Sequence, residues 1–176
     1  MNIDNITSYL NIQNSLVDSD EYMKHLINKT DMITVESRFR DYKNVIDIGC
    51  GNGFITKSLL GVQVTGVDIS DTLLTQAQDN HSENLQFHKQ SLYDLMNQKD
   101  RTKYDLVLLS EILYEPYIGD SANIIYKIID YILEENGVVI TCHADNFYRM
   151  RFPYLLKNQV YFESANYSYK LEVYIK

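Results

Sequence analysis

Three glycines at alternate positions, in Gly49-Cys50-Gly51-Asn52-Gly53, follow the apolar run Val45-Ile46-Asp47-Ile48 and precede a helix-like stretch. Glycines at such an exit permit positive φ and let a ligand lie against bare backbone, while a helix N-terminus offers free N–H groups to an anionic or polar partner. Asp68 closes the next apolar run nineteen residues after Gly49, where a carboxylate can accept both hydroxyls of a ribose. Asp47 is a charge inside an otherwise apolar run. Such a charge is costly unless paired, which suits loop N–H groups and a cationic ligand as its partners. The spacing is G-x-G-x-G, so the G-x-G-x-x-G pattern of pyrophosphate recognition is the weaker fit. Further on, Ser110-Glu111-Ile112-Leu113-Tyr114 leaves another apolar run. There Glu111 can pair with an ammonium group or take a proton from a bound amine, and Tyr114 can orient an acceptor or offer its π face to a cation. His143 is a candidate general base, with a structural histidine as the alternative. No grouping has metal-ligand spacing.

The elements that must position these residues show in the change of hydrophobic period. Residues 1 to 40 read as helical, with apolar positions at Ile3, Ile6 and Leu10 and again at Tyr22, Met23, Leu26 and Ile27. Asp18 and Glu21 have the spacing of a capping box, so a second helix is expected from about residue 19. Beyond Arg40, short apolar runs at 45–48, 62–67, 85–87, 104–109 and 137–142 alternate with helix-like stretches at 53–60, 70–80, 91–98 and 120–134. That alternation is the pattern of a parallel sheet covered by helices on both faces, an α/β fold. The tract 147–157, with Phe147, Met150, Tyr154 and Leu155, reads as a helix packed on the sheet, and its Arg149 and Arg151 as a lid or anion contact. Residues 159–175 read as an antiparallel hairpin, because Tyr167, Tyr169, Leu171, Val173 and Ile175 alternate strictly with more polar residues.

Composition narrows the class. The chain has 176 residues, 45% hydrophobic and 23% charged, with 2 Pro and 7 Gly, enough for one packed domain and unlike a disordered, collagen-like or solenoid chain. We read it as a single domain over 1–176, with a helical cap at 1–40 and a core at 41–176. The net charge of -8 argues against a broad phosphate-binding face, hence against nucleic acid. Between Tyr104 and Phe147 the only cationic side chain is Lys127, against eight Asp and Glu, and a negative cleft concentrates cationic substrates. Without a basic leader or a membrane-length apolar run, and with only Cys50 and Cys142 as thiols, a cytoplasmic protein is expected. The oligomeric state stays open.

D-I-G-C-G-N-G-F followed by G-V-D-I-S resembles motifs I and II of class I S-adenosylmethionine-dependent methyltransferases, over about residues 40 to 175. The resemblance implies a Rossmann-like, seven-stranded mixed sheet of order 3-2-1-4-5-7-6 and S-adenosylmethionine as cofactor. It places Gly49, Cys50, Gly51 and Gly53 under the cofactor's amino acid moiety and ribose, Asp47 near its ammonium end, Asp68 on the ribose hydroxyls and Ile69 against the adenine, with Ser110 in the same set. Where the family carries an Asp for the adenine amino group, this chain has Ser91, which can accept that bond while Leu92 supplies an N–H. Asp94 is a substitute whose plainer reading is a surface carboxylate. The S-E-I-L-Y-E-P stretch is similar to the sugar amine N-methyltransferases of the nodulation type and to lysine methyltransferases with an acid-x-x-Tyr motif. The reading is therefore methyl transfer to a small-molecule or sugar-linked amine, with Glu111, Tyr114 and His143 as catalytic candidates and Tyr9 and Tyr22 as acceptor-wall candidates. A protein lysine acceptor is the runner-up, and a noncatalytic cofactor-binding or scaffold subunit is the alternative of another class.

Overall fold

The computed structural model describes residues 20–97, 102–148, 150–164 and 166–176. Helix α1 (Asp20–Ser37) leads into β1 (Asn44–Ile48), β2 (Gln63–Asp68), α2 (Asp71–Ala77), β3 (Leu85–Lys89), β4 (Tyr104–Ser110), α3 (Glu115–Ile118), α4 (Ala122–Ile132), β5 (Leu133–Ala144), β6 (Leu155–Ser164) and β7 (Tyr167–Ile175). The seven strands form one sheet of order β3-β2-β1-β4-β5-β7-β6. The first five are parallel, while β7 runs antiparallel to both β5 and β6. The central strands are buried on both faces, with Val45, Ile46, Leu106, Val107, Leu108, Leu109, Val139 and Ile140 fully shielded, as their continuous apolar runs require.

Helix α1 is described from Asp20; the expected first helical stretch with Ile3, Ile6 and Leu10, the capping residue Asp18, and Tyr9 lie outside the described residues, as does Arg149. Three helix expectations are corrected. The stretch 53–60 yields only a 3-10 turn at Thr56–Ser58, and 91–98 a 3-10 segment at Leu92–Asn97. No helix forms among the described residues of 147–157: Tyr148, Met150 and Phe152 are buried in an irregular connection, and strand β6 starts at Leu155. The apolar spacing there fills a gap over the sheet edge rather than a helical stripe, and Pro153 interrupts the tract just before the strand. The hairpin is present, but both faces of β7 are buried, including Lys170 and Glu172. Sandwiched between two strands, β7 satisfies its charges internally, with Lys170 Nζ 3.7 Å from Glu172 Oε1 and 3.6 Å from Asp145 Oδ1.

Candidate active site

The carboxyl ends of β1, β2 and β4 open onto a cavity of about 650 Å³, placed where the strand order reverses between β1 and β4. Crevices at this switch point are the ligand sites of open α/β sheets. One wall is the glycine loop. Gly49 and Cys50 donate their N–H groups to Val67 O at 2.8 and 3.0 Å, Gly51 to Asp68 Oδ2 at 2.8 Å, and Gly53 to Cys50 O at 3.0 Å. Asp68 also accepts from Ser70 N at 2.8 Å, so it fastens the loop to the end of β2 and keeps its remaining lone pairs toward the cavity. Four of the loop N–H groups expected from the sequence to be free are thus already engaged. Gly51 has φ +56°, and a side chain there would meet nothing nearer than Leu73 Cδ1 at 3.9 Å. The bare backbone faces open space, as a closely seated ligand needs.

Asp47 is 2% exposed and accepts from Thr56 Oγ1 at 2.6 Å. Burial pushes its carboxyl up to about 7, against the opposing bond from Thr56. Ile69 stands 70% exposed at the cavity rim, and Ser91, Leu92 and Tyr93 line the same end. Ser91 and Asp94 bond reciprocally, Ser91 Oγ donating to Asp94 Oδ2 at 2.6 Å and Asp94 N to Ser91 Oγ at 3.3 Å. Asp94 is thereby a cap on its 3-10 segment and does not reach the cavity, which agrees with the surface reading.

At the other end is Glu111, on left-handed backbone at φ 57°. Three bonds hold the loop that bears it against β5: Glu111 N to Cys142 O at 3.0 Å, Leu113 N to His143 Nε2 at 3.1 Å, and Ala144 N to the Tyr114 hydroxyl at 2.7 Å. This corrects two catalytic expectations. His143 and Tyr114 are fully buried behind the cavity wall; burial pushes the His143 imidazole down to about 3, so it stays neutral and accepts from backbone. Their hydrogen bonds hold the loop that carries Glu111. Gly53 is also behind the wall, under Phe87 and Ala77.

Sequence reading missed the partners of Glu111. Its carboxylate forms an ion pair with Lys29 of α1, accepts from the Tyr169 hydroxyl of β7 at 3.1 Å, and lies 4.0 Å from His25 Nε2. His25 in turn contacts Tyr169 at 3.2 Å and Ser164 Oγ at 2.8 Å. Burial alone would raise the Glu111 carboxyl, but the Lys29 charge and the His25 contact outweigh it and hold the group well below the ordinary range. Lys29 is only 3% exposed, and Glu111 overcomes its burial to raise the ammonium pKa. One signal was available: Tyr22, Leu26 and Lys29 fall on one helical stripe, so Lys29 is a charge on an apolar face. All three line the cavity, and Tyr117 lines it with them.

Comparison with known proteins agrees with this geometry. A family model described as a methyltransferase domain matches residues 40–172. The malonyl-[acyl-carrier protein] O-methyltransferase of Acetivibrio thermocellus is 29% identical over 114 residues, 62% of this chain and 38% of that protein. The ubiquinone biosynthesis O-methyltransferase of Glaesserella parasuis is 29% identical over 126 residues, 65% of this chain and 52% of that protein. The chain therefore spans between 38% and 52% of the length of these two relatives. Among solved structures, N-methyltransferase NodS from Bradyrhizobium japonicum WM9 superposes with a TM-score of 0.69 at 14% identity, over 92% of this chain and 99% of that one. Its complex with S-adenosylhomocysteine gives 0.69 at 16%, over 92% and 90%; at such identity the likeness is one of fold. The wall also fits S-adenosylmethionine on its own evidence: open space at Gly51, an exposed apolar Ile69, lone pairs on Asp68, and a buried Ser110 hydroxyl without a partner among the described residues. With the motif, the sheet order and the fitted cavity in agreement, the chain belongs to the methyltransferase domain family, class I enzymes that take their methyl group from S-adenosylmethionine.

Proposed function

We propose that the methyl acceptor is an amine on a small or sugar-linked molecule, bound between Glu111, Tyr22 and Tyr117. The observation that carries this reading is the pairing of a carboxylate with two tyrosines on one cavity wall, since aromatic faces and a carboxylate together recognise a cation. Both phenols feel Glu111. Burial is the main cause that raises the Tyr22 and Tyr117 hydroxyls, and the Glu111 charge adds to it in each. The cofactor supplies an electrophilic methyl on a cationic sulfur. What the chain supplies is position and charge: Glu111 orients the N–H of the neutral amine and stabilises the positive charge that grows on nitrogen as the bond forms. The ammonium gives up one proton to solvent before it attacks and the methylated product gives up another after transfer, with Glu111 as the electrostatic partner of each charged form.

A second reading, methyl transfer to an oxygen nucleophile, draws support from the names of the curated relatives and from Lys29, which can steady a phenolate or carboxylate. Methyl-transfer assays with matched panels of small amines, phenols, carboxylic acids and a lysine peptide separate the readings. Turnover confined to small amines supports the proposal. Turnover of only phenols or acids favours the second reading, and turnover of the peptide alone moves the acceptor to protein lysine.

A further inference from the structure

Among the described residues, the cavity wall carries three carboxylates, Asp47, Asp68 and Glu111, and a single cation, Lys29. The cofactor's amino acid end brings an ammonium and a carboxylate on one carbon. If the ammonium goes to Asp47, as the family resemblance implies, the carboxylate must find donors within the same corner. The loop has few to give. The N–H groups of Gly49, Cys50, Gly51 and Gly53 are bonded within the protein, and that of Phe54 goes to Asn52 Oδ1 at 3.2 Å. Among the described lining residues, Lys29 is the one opposite charge that a carboxylate arriving there would meet.

We propose that Lys29 is a shared cation, held by Glu111 when the cavity is empty and turned to the cofactor's carboxylate on loading, which leaves Glu111 to the acceptor. Lysine suits the task, having a compact charge with three donors on a flexible stem. Glu111 is built to survive the exchange, because Tyr169 and His25 stay beside it on elements other than the one that carries the cofactor loop. An acceptor amine that came first would have to compete with an intramolecular ammonium, whereas after loading it replaces one. The cofactor therefore raises acceptor affinity and, by reciprocity, the acceptor raises cofactor affinity. Only this last step rests on the amine reading.

Titration calorimetry of the whole chain with S-adenosylhomocysteine and with 5′-methylthioadenosine, which lacks the amino acid end, tests the exchange without any acceptor. Lys29→Met is expected to weaken S-adenosylhomocysteine by about tenfold or more, as loss of a charge-assisted contact, and to leave methylthioadenosine within about twofold. Glu111→Gln releases Lys29 and is expected to tighten S-adenosylhomocysteine about threefold or more, with methylthioadenosine again unchanged. Since Lys29→Met strands a buried carboxylate, the double variant Lys29→Met with Glu111→Gln serves as the folded control and should show the same loss as Lys29→Met. Glu111→Gln that leaves or lowers S-adenosylhomocysteine affinity overturns the proposal, as does a Lys29→Met effect that is absent or equal for the two ligands. An error about the acceptor changes none of these values.

Discussion

Glu111 is the residue on which the proposed activity turns, and its environment sets what its loss does. Replacing it by Gln keeps the shape of the loop and removes the charge, so methyl transfer to amines is expected to fall by about a hundredfold to a thousandfold in a steady-state assay while S-adenosylhomocysteine binding is not weakened. Asp47 gives a pH signature. Its carboxyl sits at about 7 in the folded chain, above the ordinary ~4 of an unfolded one. The neutral form thus favours folding below pH ~4, and that advantage is lost as pH rises through ~7. Asp47→Asn should raise the thermal midpoint at pH 8 through roughly 2 to 4 kcal/mol, with a smaller gain at pH 5, and should weaken S-adenosylhomocysteine because the Asn has no charge for its ammonium. At this scale the sequence disclosed the residues made conspicuous by breaking a pattern, namely Asp47 in an apolar strand, Asp68 at a strand end and Glu111 past another. It concealed partners distant in the chain. Lys29 and Tyr169 meet Glu111 only because α1 and β7 converge on one strand end, and no local spacing encodes that. Tyr114 and His143 were each legible as a site candidate with a packing or structural role as the alternative, and their burial fits that alternative, because chain position cannot say which side of a strand end faces the cavity.

Among the elements, the glycine loop separates two roles that one motif had merged. Gly51 and Gly49 both hold positive φ, yet a side chain at Gly51 would enter open space while one at Gly49 would collide with Ile112. Gly51→Ala should therefore cost only roughly 1 to 2 kcal/mol of left-handed strain while sharply weakening S-adenosylhomocysteine. Gly49→Ala should add overpacking of roughly 1 to 3 kcal/mol and lower the thermal midpoint well below that of Gly51→Ala; differential scanning calorimetry of the two variants checks both. Strands were legible because each is an apolar run bounded by turns, and α1, α2 and α4 because their apolar positions keep a helical period. The segments after β1 and β3 shrank to 3-10 turns, since three-residue bonds from Ser58 N to Ile55 O and from Leu59 N to Thr56 O, and the bond from Ser91 to Asp94, close them locally. The tract before β6 misled because the spacing of Phe147, Met150, Tyr154 and Leu155 imitates a helical stripe, whereas the residues buried there are Tyr148, Met150 and Phe152.

For the whole molecule, ligand binding is linked to stability. S-adenosylhomocysteine at ~100 times its dissociation constant stabilises by ~2.7 kcal/mol, which raises the midpoint by about 5 to 11 °C for a chain of this size; NAD should give no shift. The sheet order adds a consequence in time. Strand β7, from the end of the sequence, lies between β5 and β6 rather than at an edge, and it carries the Tyr169 that braces Glu111. The strands β1 to β4 that shape the cofactor end can pair without it, but the acceptor end closes only when this distant segment docks, and such non-local pairing is slow. Assembly is thus ordered, and pulse-labelled hydrogen exchange during refolding should protect β1 and β4 before β7. A newly made chain would gain the ability to hold its methyl donor before it gains the ability to spend it.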